Sequence, residues 1–320
     1  MKQLWKIIGI AAVAGAVLLG AGWALGANTG GVSWSRNGGF SIASQNLSNV
    51  RYTNLEAFNN ISINVSSINV RVVQANYFGF EANYRDNSNL RYSFENGNLT
   101  VTQDAFNISQ VNIMGFGSWQ SEEIIVSLPR NATLEDVDIR VSSGRVIIDQ
   151  LDCVNLTARL SSGNATINNI TAQNANINTS SGRIRLETIV VADRLDLQAS
   201  SGNIDITNAT AEIFDIRTTS GRIEGTRIVS NGFSAVAASG NITVGGVFNG
   251  HTTVRATSGR IRLNVAGSES NFNVGTSVSS GNVRINGERG RSSVINSNAT
   301  NHIDARTSSG NINIDFDFSR

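Results

Sequence analysis

From residue 131 onward, apolar and polar positions alternate with a period of two, in short runs broken at regular intervals by Ser-Gly. The glycines are Gly144, Gly163, Gly182, Gly202, Gly221, Gly240, Gly259, Gly281 and Gly310, at spacings of 19, 19, 20, 19, 19, 19, 22 and 29 residues. Apolar residues stand two positions after the glycine, as Val146, Ile184, Ile204, Ile223 and Ile261, and four after it, as Ile148, Leu186, Ile206 and Leu263. Others precede it by seven and five, as Val137 with Ile139 and Phe214 with Ile216. A third site follows it by seven, from Leu151 and Ile170 to Val247 and Ala266. Such alternation predicts strands with one buried face, and the β-branched inward residues agree. No stretch of this region keeps a helical period.

A unit this short cannot bury its own apolar face, but stacked copies can. The pattern therefore predicts an all-β fold, a parallel β-solenoid (β-helix) of coils about 19 residues long, hydrogen-bonded coil to coil. Right-handed coiling is expected, as it is of parallel crossovers in general. The recurrent glycine predicts a corner where the backbone takes a positive φ.

The residue after the glycine runs Arg145, Asn164, Arg183, Asn203, Arg222, Asn241, Arg260, Asn282, Asn311. Coils about 4.8 Å apart would put these arginines about 9.6 Å from one another, beyond a Debye length of about 8 Å. The stripe Arg145, Arg183, Arg222 and Arg260 reads either as a ladder spaced for stability or as a binding face for an anionic polymer. A second outward row, four before the glycine, holds Arg140, Arg159, Arg217, Arg255 and Arg306, with Asp138, Asp196, Asp215 and Asp304 two residues earlier.

Ahead of the repeats, residues 46–130 carry short alternating runs and all four tyrosines. The run Asn64–Val70 matches a repeat with Ile68 in the glycine place, 76 residues before Gly144, which is four repeats of 19. Residues 46–130 are therefore expected to cap the solenoid of residues 131–320. Residues 28–45, rich in Gly, Ser and Asn, read as a flexible linker. From Ile7 to Ala27 there are 21 residues without a charge, preceded by Lys2 and Lys6. That predicts one transmembrane helix, residues 1–27 including a cytoplasmic stub, with everything after it outside the cell. A cleaved signal peptide is the competing reading.

Charge narrows the chemistry. Lys+Arg number 25 against 24 Asp+Glu, so no basic field for nucleic acid exists. The single cysteine, Cys153, rules out an intramolecular disulfide, and it reads as a buried thiol. His251 and His302, the only histidines, share no motif and read as surface positions. Asp136, Asp138, Asp149 and Asp152 come closest to a carboxylate cluster, but alternation turns them outward. No cofactor or metal is expected.

The apolar N-terminal segment, the Leu128-Pro129 strand end and the Ser-Gly coils with Ile or Val two residues on resemble the bacterial putative adhesin family, the LiaG-like domains, over roughly residues 46–320. The resemblance implies a right-handed β-helix displayed on the cell envelope and brings no catalytic residues. The expected function is a membrane-anchored, single-pass envelope protein that binds a glycan, wall polymer or protein without catalysis. The alternatives are an envelope-stress regulator or scaffold acting through a membrane partner, and a β-helix enzyme that degrades polysaccharide.

Overall fold

A computed structural model describes residues 32–35, 39–42, 47–85, 88–103, 110–114, 121–296 and 298–317. The expected membrane segment, residues 7–27, lies outside them; among the described residues no helix is long and apolar enough to cross a membrane. The chain divides into two compact units, residues 1–47 with 105–120, and residues 48–104 with 121–320. In the first, Val32–Ser35 pairs antiparallel with both Gly39–Ile42 and Gln110–Met114. Two of these strands fall where composition predicts a flexible linker. Backbone pairing with a distant segment orders them, and Gly, Ser and Asn content carries no sign of that.

The second unit is all-β and mostly parallel. Ala165–Thr179, Ile184–Ala199, Ile204–Ser220, Ile223–Ser239 and Ile242–Ser258 each run from just past one Ser-Gly to the next. Each pairs with its successor at an offset of one repeat, so that Ile184 faces Ile204 and Ile204 faces Ile223. The inward positions are buried, with Val146, Ile184, Ile204, Ile223, Ile242, Ile261 and Ile312 all at 0% exposure. One expectation fails locally. The Gly240 coil is a residue short on its third side, so Gly246 faces Ile228 and Val247 turns half outward. Phe248, opposite the buried Ser230 in the next inward row, is buried and packs edge-to-face on Phe233, ring centroids 5.0 Å apart. Ala266 is likewise half-buried, beside an inward Val265.

The Ser-Gly corners correct the reason given for their glycines. Only Gly281 and Gly310 have positive φ, at 144° and 148°. At the other seven the demand is room. A Cβ on Gly163 would overlap the carbonyl oxygen of Gly144, and one on Gly182 that of Gly163. On Gly202 it would stand 2.8 Å from the Gly182 carbonyl carbon, with the oxygen closer still. Corner backbone stacks directly on corner backbone. The left-handed turn lies six residues later, at Asn169, Thr188, Asn208 and Arg227, with φ of 53°, 57°, 56° and 53°.

The coils stack in an order that departs from chain order at both ends. Val137 pairs with Ile61 and Val146 with Val70, so the Ile68 coil lies directly on the Gly144 coil, at the 76-residue offset. Beyond it lies a later stretch, Asn98–Gln103 with Glu123–Pro129. At the far end Ile242–Ser258 pairs with Asn301–Ser309, and Asn301–Ser309 with Phe272–Ser280. The Gly310 coil is thus inserted between the Gly259 and Gly281 coils. Antiparallel strands cover both ends, Gly79–Arg85 and Leu90–Glu95 at one, Glu288–Arg289 and Ser293–Val294 at the other. They occupy the edges that would otherwise invite pairing with another chain.

Candidate functional site

In stacking order, the position after the glycine reads Asn69, Arg145, Asn164, Arg183, Asn203, Arg222, Asn241, Arg260, Asn311, Asn282. The alternation is unbroken until the last coil. Each asparagine except Asn282, whose Oδ1 accepts from Arg289, clips one junction. The backbone N–H of Arg145 donates to Asn69 Oδ1 at 2.9 Å, that of Arg183 to Asn164 at 2.8 Å, that of Arg222 to Asn203 at 3.0 Å, and that of Arg260 to Asn241 at 2.9 Å. Asparagine every second coil therefore has a backbone role besides spacing charge.

The arginines between them are partly neutralised. Asp205 lies 3.4 Å from Arg183 Nε and 3.7 Å from Arg222 Nη2, and Glu224 lies 3.1 Å from Arg222 Nε. Arg145 and Arg260 have no ion pair among the described residues. They stand six coils apart, about 29 Å at 4.8 Å per coil. The stripe's two unpaired charges are its ends.

The second arginine row is different. Asp215 holds Arg217 at 2.6 Å, and Asp304 holds Arg255 at 3.3 Å and Arg306 at 2.8 Å. In the coil between Arg217 and Arg255 the same face carries Ser234, Val236 and Ala238, which are short and neutral. The gap opens a groove of about 610 Å³. Gln198, Arg217, Val236, Arg255, Arg306 and Ser277 line it, one from each of six consecutive coils. Hydroxyls of Thr219, Thr257 and Ser308 add donors and acceptors. Three guanidinium groups face two carboxylates there, leaving a local excess of positive charge.

The remaining candidates separate. Asp138 pairs with Arg140 and Arg159, Asp136 accepts from Asn155, and Asp149 from Asn168, so the four aspartates do not converge on one point. Among the described residues no three His, Cys, Asp or Glu side chains could hold one metal ion together. Cys153 is buried, and burial pushes its thiol up to about 12, with the Asp152 and Asp136 carboxylates adding. His251 and His302, unconnected in sequence, face each other on adjacent coils. Their 51-residue separation equals that of Arg255 from Arg306 and of Gly259 from Gly310, which is the signal that could have joined them.

A search of curated proteins finds no match. Among solved structures, a putative adhesin from Bacteroides fragilis is 16% identical, with a TM-score of 0.46 over 85% of this chain and 98% of that one. A putative adhesin from Parabacteroides merdae is 13% identical, with a TM-score of 0.47 over 85% and 97%. A protein described as putative lipid binding, from Parabacteroides distasonis, is 14% identical, with a TM-score of 0.47 over 85% and 97%. The family model described as Toastrack DUF4097 matches residues 58–315, from the Ile68 coil to the end of the inserted one, and the chain belongs to that family.

Proposed function

We propose that this chain is a non-enzymatic envelope protein. Residues 7–27 hold it in the cell membrane with the N-terminus cytoplasmic, and the right-handed coil stack outside binds an extended anionic glycan or wall polymer. The groove across six coils carries the proposal. It repeats arginine and hydroxyl groups along one direction, and guanidinium pairs well with carboxylate and phosphate. Exposed contacts of this kind contribute about 0.2–1 kcal/mol each, so only a ligand touching several coils gains useful affinity. The dispersal of the aspartates supports binding without catalysis.

Retention on an immobilised polyanion tests this. The full chain should be held at low salt and released as salt screens the contacts. Changing Arg217, Arg255 and Arg306 to Gln together should weaken binding about 3- to 150-fold, the sum of three exposed contacts. Changing Arg145, Arg183, Arg222 and Arg260 to Gln should have the smaller effect, because none of the four lines the six-coil groove. Equal retention of the wild type and the groove variant would refute the assignment.

A further inference from the structure

The two histidines are the only ones in 320 residues, and the inserted coil brings them together. His251 lies on Ile242–Ser258 and His302 on Asn301–Ser309, directly opposite in parallel register. Both are exposed, with ring centroids 6.1 Å apart and planes inclined at 34°. On the far side of His251 the facing residue is Gly232, which puts no side chain against the imidazole. On the far side of His302 the facing residue is Asn273. Its amide is committed, accepting from the backbone N–H of Asn296 and donating to the Ala299 carbonyl. Asp304, two residues along, is committed to Arg255 and Arg306. Among the described residues neither imidazole makes a hydrogen bond, although each has a donor and an acceptor nitrogen to offer.

We propose that His251 and His302 bind one divalent transition-metal ion of the zinc, copper or nickel class. Imidazole suits these ions, whereas calcium and magnesium prefer oxygen. Two imidazoles on one ion, each with a metal–nitrogen distance of about 2.0–2.1 Å, have ring centroids about 5–6 Å apart. The observed separation of 6.1 Å lies close to that range. Two protein ligands leave the other positions to water or to a donor on a second molecule. The site ties the inserted C-terminal strand to the coil beneath it. In the unfolded chain the two ligands are 51 residues apart, so an ion that needs both binds only the folded form and stabilises it.

The test uses the full chain, made without a polyhistidine tag and stripped with chelator, titrated with zinc or nickel by calorimetry at neutral pH. One ion per chain is expected. Affinity should fall at least about tenfold in each of His251→Gln and His302→Gln. Metal should raise the midpoint of thermal unfolding in the wild type but in neither variant. Copper should show two coordinating imidazole nitrogens by electron paramagnetic resonance. Both variants should unfold like the wild type without metal, because the side chains are exposed. Absence of binding in the wild type would overturn the proposal. So would equal binding in all three proteins, or loss in only one of the two variants.

Discussion

At seven of the nine Ser-Gly corners a side chain is excluded by the carbonyl stacked against it, not by a torsion angle. Gly202→Ala should therefore cost about 3 kcal/mol or more, because the obstruction is Gly182 backbone that cannot rotate away. A torsional penalty alone would cost about 1–2 kcal/mol. At the true left-handed turn the reverse holds. Thr188 sits at φ 57°, where a β-branched residue is strained and asparagine is tolerated. Thr188→Asn should gain about 1 kcal/mol, and urea unfolding of the two variants checks both signs. Cys153 gives a pH dependence. Its thiol stays protonated in the folded chain up to about 12, while in the unfolded chain it ionises near 8.5–9. The unfolded state then holds fewer protons, so stability falls as pH rises between these values, by up to about 4 kcal/mol. Cys153→Ala should flatten that alkaline loss relative to the wild type. The inward rows and the asparagine–arginine alternation were legible in the sequence because they recur in every coil. The close approach at glycine was not, since a repeated glycine looks the same whether it supplies a torsion or a space.

At the scale of strands and coils, the out-of-order insertion makes the C-terminal segment a central element. Asn301–Ser309 and Ile312–Asp315 lie between coils that both precede them in sequence. A chain ending at residue 300 should lose hydrogen-exchange protection not only at the cut but throughout Phe272–Ser280 and Val283–Ile285. Coils stacked in chain order would keep that segment protected against the Gly259 coil. The sequence contains the clue only as irregular spacings, 22 and then 29, which read as insertions in a simple series. The 51-residue offset that relates Gly259 to Gly310, Ile261 to Ile312 and His251 to His302 becomes meaningful once a skipped neighbour is considered. The Ile68 coil was easier to place, because its offset from Gly144 is a whole number of repeats.

At the scale of the whole coil stack, the proposed binding rests on side chains repeated along one groove. The arginine stripe beside the glycines was plain in sequence, yet Asp205 and Glu224 occupy its middle. The groove was hidden because it depends on what is missing: Val236 and Ala238 stand where a longer side chain would close it. Six coils at about 4.8 Å spacing give it a length of about 24 Å. Affinity should accordingly depend on ligand length. The most direct measurement is the dissociation constant of the full chain for a series of polyanion oligomers of increasing length, at one salt concentration. Affinity should rise steeply until the oligomer spans about 24 Å and then level off, and changing Arg217, Arg255 and Arg306 to Gln should abolish the rise. Affinity that is the same for a single unit and a long oligomer, or a length dependence unchanged in that variant, would contradict the proposed binding.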